Sequence, residues 1–178
     1  LKEVQMRVMS IAAVHRALYS EPTSGRVRAD DLLRTVIDST ITAGMTDDRT
    51  IDLQQSYAPV LLYPDQAVPL LLMASEAVTN ALKYMGRLDT GEASLSITLS
   101  VEGDHRARLR VVNTRGVPFL PADQVLGSGL GRSLIAGFAT QVGGVIELEE
   151  SEDYYDFQLS FEAASFDPEA SSAGLSLE

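Results

Sequence analysis

Val4, Val8, Ile11, His15 and Leu18 follow one another at i, i+4, i+7, i+11 and i+14. That spacing holds them on one stripe of a helix, predicted over residues 3–20. Residues 20–25, with Pro22 and Gly25, break it. A second helix is predicted over 28–43, where Leu32, Leu33, Val36, Ile37 and Ile41 are apolar and Gly44 can cap the end. Residues 51–57 alternate apolar and polar, as a half-buried strand does. A third helix starts at Asp65 or a near neighbour acting as its cap, runs to Met85 and ends at Gly86. Leu95, Ile97, Leu99 and Val101 then alternate along a strand over 93–101, Gly103 and Asp104 turn the chain, and Leu109 and Val111 continue in phase over 107–112. These two runs predict a hairpin. Residues 117–126, with two prolines, read as a loop. A helix over 130–142, a Gly143-Gly144 turn and strands over 145–149 and 155–161 complete the pattern. Helices interleaved with hairpins predict an α/β two-layer sandwich, its mixed, mostly antiparallel sheet carrying helices on one face. The domain is expected over 26–162. The helical segment 1–21 precedes it, and 163–178 is expected to be a disordered acidic tail.

The third helix carries an unusual row. Glu76, Asn80 and Lys83 stand at i, i+4 and i+7, which places a carboxylate, an amide and an ammonium on one face. Ala77, Val78, Ala81 and Leu82 between them suit a core. Burying such a polar row is costly unless something binds it. The three groups together suit a magnesium–phosphate group. Downstream, Gly127-Ser128-Gly129-Leu130-Gly131 can wrap phosphates with backbone N–H groups at a helix start.

These two runs resemble the N-box and the G2 box of the GHKL (Bergerat) ATP-binding fold, and among its members the sensor histidine kinases of the HWE-like branch and their near relatives. The segment 65–70 before the N-box helix and the helix and Gly-Gly turn of 134–144 after the G2 box fit the same pattern, so the resemblance covers residues 4–161. It implies a protein-histidine kinase domain that binds ATP and Mg²⁺. Asn80 would give its side-chain oxygen to the metal, and Glu76 would orient or polarise the reacting group. Lys83 would be a point charge for phosphate, with Tyr84 beside it. Gly127, Ser128, Gly129, Leu130 and Gly131 would form the phosphate lid. The chain departs from the family at the G1 box, where Asn113-Thr114-Arg115-Gly116 stands for an Asp-x-Gly-x-Gly pattern. Asn113 replaces the carboxylate that accepts from the adenine amino group and can still accept, without charge. Of the glycine pair Gly116 remains, and Arg115 adds either bulk near the base or a cation for phosphate.

Each of these residues also has a plainer reading. Asn80 could cap a neighbouring backbone group, Glu76 could sit in a surface ion pair, Lys83 could favour the helix dipole, Tyr84 could pack, and the glycines could form a simple turn. His15 sits on the apolar stripe, where packing is expected. The resemblance sets the accepting histidine on a preceding helix that the chain lacks, so the chain is expected to be a fragment of a longer kinase, the alternative being a natural protein whose N-terminus starts here. His105 is expected to be a solvated loop residue.

Composition narrows the partners. The chain has 178 residues with 14 Lys+Arg against 25 Asp+Glu, a formal net charge of −11. Nucleic acid and anionic membrane surfaces favour basic patches, so neither is expected as a partner. There is no cysteine, hence no thiol chemistry. No apolar run approaches the ~20 residues of a membrane span, and a cytoplasmic location is expected. The resemblance implies a homodimer in the full-length protein and a response regulator receiver domain as phosphate acceptor. A degenerate scaffold that docks the regulator without ATP is the alternative. A serine kinase of the same superfold is a third reading, against which the N-terminal segment 1–21 argues, because it resembles the second helix of a dimerisation and phosphotransfer hairpin.

Overall fold

The computed structural model describes residues 26–45, 50–103, 105–120 and 130–163, together with Ala12, which is helical. The rest of the predicted first helix, His15, the Gly127-Ser128-Gly129 run and the tail from 164 onward lie outside the described residues.

The strands are β1 (Val27–Arg28), β2 (Asp52–Tyr57), β3 (Leu61–Leu62), β4 (Gly86–Arg87), β5 (Ser94–Glu102), β6 (Arg106–Thr114), β7 (Val117–Pro118), β8 (Val145–Glu150) and β9 (Tyr154–Glu162). The helices are α1 (Ala29–Gly44), α2 (Pro64–Tyr84) and α3 (Leu130–Gln141). Five strands form one sheet in the order β2-β5-β6-β9-β8. β2 runs parallel to β5, and the other three pairings are antiparallel. The predicted β5–β6 hairpin is present, with Gly103 at φ 71° in its turn. Two short antiparallel pairs, β1–β3 and β4–β7, were not expected. The second lies partly in what reads from sequence as a loop.

Alternation sets the faces. On β6, Ala107, Leu109, Val111 and Asn113 are buried on one side. Leu95, Ile97 and Leu99 of β5 and Phe157, Leu159 and Phe161 of β9 stand beside them in register. Buried Leu33, Val36 and Ile37 of α1, Leu70, Ala74, Ala77, Val78 and Ala81 of α2, and Ile135 and Ala139 of α3 complete one core. α2 is the middle helix, packed against both α1 and α3 and over β6. The other sheet face is polar. There the fully buried Asp156 is gripped by Arg110 through Nε (3.0 and 3.1 Å) and Nη2 (2.7 Å), and Gln158 donates to the same carboxylate at 2.9 Å.

Tyr63, a near neighbour of Asp65, is the N-cap of α2: its N–H donates to Gln66 Oε1 at 3.2 Å, and Pro64 opens the helix, where no N–H is needed. Asp65 lies in the exposed first turn, favourable to the helix dipole. Gly44 is the last residue of α1 rather than a left-handed cap. A Cβ there would stand 2.8 Å from Leu82 Cδ1, so this glycine lets α1 approach α2 closely.

Candidate functional site

The middle helix α2 has a margin unlike its other sides. Ala77, Val78, Ala81 and Leu82 are buried, whereas Glu76, Thr79, Asn80 and Lys83 are all half-buried. The polar row read from sequence is therefore one strip, extended by Thr79 and open enough to meet a ligand. Among the described residues no side-chain hydrogen bond of Asn80 occurs, so the cap reading of this amide fails there. Lys83 stands in the last turn with Nζ 5.6 Å from the centre of the Tyr84 ring. Tyr84 is 47% exposed, so it does not pack into the core as its plainer reading held.

Asn113 is the second component. It is 1% exposed, on the sheet face that α2 covers. Its Nδ2 donates to the Thr114 carbonyl at 3.0 Å, which fixes the amide orientation. Oδ1 is then left buried, with no hydrogen-bond partner among the described residues. Leaving a buried acceptor unpaired costs on the order of 1–3 kcal/mol, and native structures rarely keep one unless a ligand or water meets it.

Thr114 joins the two components. Its hydroxyl donates to the Gly86 carbonyl at 2.9 Å and accepts from the Ser94 N–H at 3.0 Å. Gly86 stands two residues past the end of α2, so this bond ties the end of β6, next to Asn113, to the chain that leaves the helix. Gly116 backs the same junction at φ 95°: a Cβ there would stand 2.3 Å from the Arg87 carbonyl oxygen. A Cβ on Gly86 would stand 2.5 Å from the Val117 carbonyl oxygen. The surviving glycine of the altered G1 box thus lets β7 lie on β4.

Arg115 takes neither of its expected places. Its guanidinium pairs with Glu150 and donates to the Ser151 carbonyl at 3.1 Å, and its N–H bonds the Asp153 carbonyl at 2.7 Å. It is tied to the β8–β9 turn. Leu130 and Gly131 form the start of α3, which packs on α2. His105 is exposed, as expected. Sequence reasoning missed Thr114 and Glu150, because both act across strands and only the register reveals their partners.

Among the described residues no three His, Cys, Asp or Glu side chains come together to hold a metal ion. A divalent cation here would need the Asn80 oxygen supplemented by ligand phosphates and water, which suits magnesium. Among the described residues no helix is long and apolar enough to cross a membrane.

Residues 1–43 match the family model HisKA_2, histidine kinase. The fold is similar to that of the histidine kinase domain of the blue-light-activated histidine kinase EL346 of Erythrobacter litoralis, with TM-score 0.71 and 15% identity over 88% of this chain and 73% of that one. It is also similar to the mycobacterial sensor histidine kinase MprB, with TM-score 0.60 and 15% identity over 79% of this chain and 99% of that one. The histidine kinase AdeS of Acinetobacter baumannii follows, with TM-score 0.54 and 13% identity over 87% of this chain and 76% of that one. In a longer EL346 structure the chain spans about half of that protein, 54%. No curated protein sequence matches the chain. The resemblance to sensor histidine kinases and the expected mixed α/β sandwich are borne out by the family model and by the shared fold.

Proposed function

We propose that this chain is the ATP-binding catalytic segment of a two-component sensor histidine kinase, and that it presents the γ-phosphate of ATP to a histidine elsewhere in the full protein. The single observation that carries the reading is the Oδ1 of Asn113, buried, held in orientation and lacking a donor among the described residues. The exocyclic amino group of adenine is a donor of the required kind. Asn80 would hold the magnesium ion that accompanies ATP, and that ion would offset phosphate charge. Lys83 would add a point charge, and Glu76 would orient the reacting group. The Gly127–Gly131 run would close over the phosphates. Such a site works by positioning and charge neutralisation. A neutral acceptor at Asn113 implies a weaker hold on adenine than a carboxylate gives. The phosphate would pass on to a response regulator receiver domain, with the full-length protein a cytoplasmic homodimer at this segment.

Calorimetric titration with ATP and Mg²⁺, beside Asn80→Ala, tests the proposal. The expected result is saturable binding that the substitution weakens by about tenfold or more, the loss of one charge-assisted contact. Absence of binding up to millimolar ATP by a folded sample would overturn catalysis and favour the scaffold that docks the regulator without nucleotide.

A further inference from the structure

Across the five-stranded sheet one row of side chains faces the helices: Leu53 of β2, Leu95 of β5, Asn113 of β6, Tyr155 of β9 and Glu150 of β8, each opposite the next in register. Directly opposed residues of antiparallel strands have Cβ atoms about 5 Å apart on the same face. Tyr155 is therefore the immediate neighbour of the amide whose oxygen lacks a donor. Along β9 the helix-facing side chains are Tyr155, Phe157, Leu159 and Phe161. The last three are buried, and Tyr155 alone keeps accessible surface while packing against the core. Tyr155 thus sets a half-buried aromatic ring beside an acceptor that no described residue satisfies.

We infer that Tyr155 forms an aromatic wall of the base pocket, contacting the purine ring whose amino group bonds Asn113. Leu95, fully buried on the other side of Asn113, supplies an apolar floor. An apolar surface and a ring with few convergent polar groups is the usual lining for a flat heterocycle. The ring would compensate for the charge that Asn113 lacks, since aromatic contact with a base needs no charge on the protein. This inference rests on the nucleotide reading above and adds a residue that contacts the base alone, not the phosphates.

The test separates base from phosphate. The full chain, Tyr155→Ala and Tyr155→Phe are titrated with Mg²⁺–ATP and with Mg²⁺–tripolyphosphate, which carries the phosphates without a base. Tyr155→Ala is expected to lose about tenfold or more in ATP affinity, as loss of one base–aromatic contact does, while its tripolyphosphate affinity stays the same. Tyr155→Phe keeps the ring and is expected to keep ATP affinity within about twofold. If the alanine variant does not fold, Tyr155→Leu retains apolar bulk without a π face and is read in the same way. Unchanged ATP affinity in the variant overturns the inference while leaving the nucleotide reading intact. Equal losses for both ligands would reduce Tyr155 to a structural role. A gain in ATP affinity would mean that the ring occupies the place of the base. If the unaltered chain binds neither ligand, the proposed function falls and this inference falls with it.

Discussion

At the scale of single residues, Asn113 is where the proposed nucleotide reading can be separated from folding. Its amide makes one hydrogen bond and leaves one acceptor buried without a partner. Leucine has the same branched side-chain skeleton and no polar atom, so Asn113→Leu removes both terms. The unfolding free energy is expected to change by no more than about 1 kcal/mol, because the lost bond and the relieved oxygen nearly cancel. ATP affinity should fall by about tenfold or more, since nothing then meets the adenine amino group; thermal melts beside calorimetry check both halves. A second residue reports through pH. Burial, and then the Asp38 carboxylate, raise the Tyr57 hydroxyl well above its usual range, with Arg34 opposing them. The same hydroxyl donates to Gln55 Oε1 at 2.7 Å, and Gln55 donates to Asp38 at 3.1 Å. The folded chain thus holds this proton more tightly than the unfolded chain. The linked stability is fully present below the unfolded value of about 10 and is lost as pH rises above it. Denaturant midpoints should fall more steeply above about pH 10 for the parent chain than for Tyr57→Phe. Glu76, Asn80 and Lys83 were legible in sequence because helical period alone puts them on one face. The burial of Asn113 was legible from strand alternation. The bond from Arg115 to Glu150 was not, because it joins positions that only the sheet register brings together.

At the scale of elements, the long pieces were readable and the two-residue ones were not. α1, α2, β5 and β6 carry enough residues for a period to emerge. A strand such as Gly86–Arg87 has no period, and its existence depends on a partner. That partner, Val117–Pro118, approaches only because Gly86 and Gly116 lack side chains. At Gly116 a Cβ would meet backbone, which cannot rotate away, and the φ of 95° is itself unfavourable to other residues. Gly116→Ala is therefore expected to cost about 2–4 kcal/mol of unfolding free energy, within the range for strained backbone and overpacking. Urea denaturation measures it. A loss below about 0.5 kcal/mol, the level of an ordinary surface change, would mean that β4 and β7 do not pair this closely. Gly44 differs: it faces the end of a flexible leucine side chain, which can give way. The sequence suggested a cap at this glycine, and packing is the cause instead.

At the scale of the whole molecule, one core serves both stability and site. Helices cover a single face of the sheet, and α2, whose margin carries Glu76, Asn80 and Lys83, is held between α1 and α3. Alternation and element order made the two-layer plan legible. The strand order was not, since it depends on which edges meet and no residue in a strand names its neighbour. The parallel pairing of β2 with β5 has a kinetic side. It sets Asp52 opposite Ser94, so all of α2 lies inside the loop that these strands close. Closing a long loop costs chain entropy before any contact repays it, which delays such pairings in folding. The proposed nucleotide site therefore cannot assemble on a chain still emerging from the ribosome until β6, which carries Asn113, has been synthesised and has paired with β5.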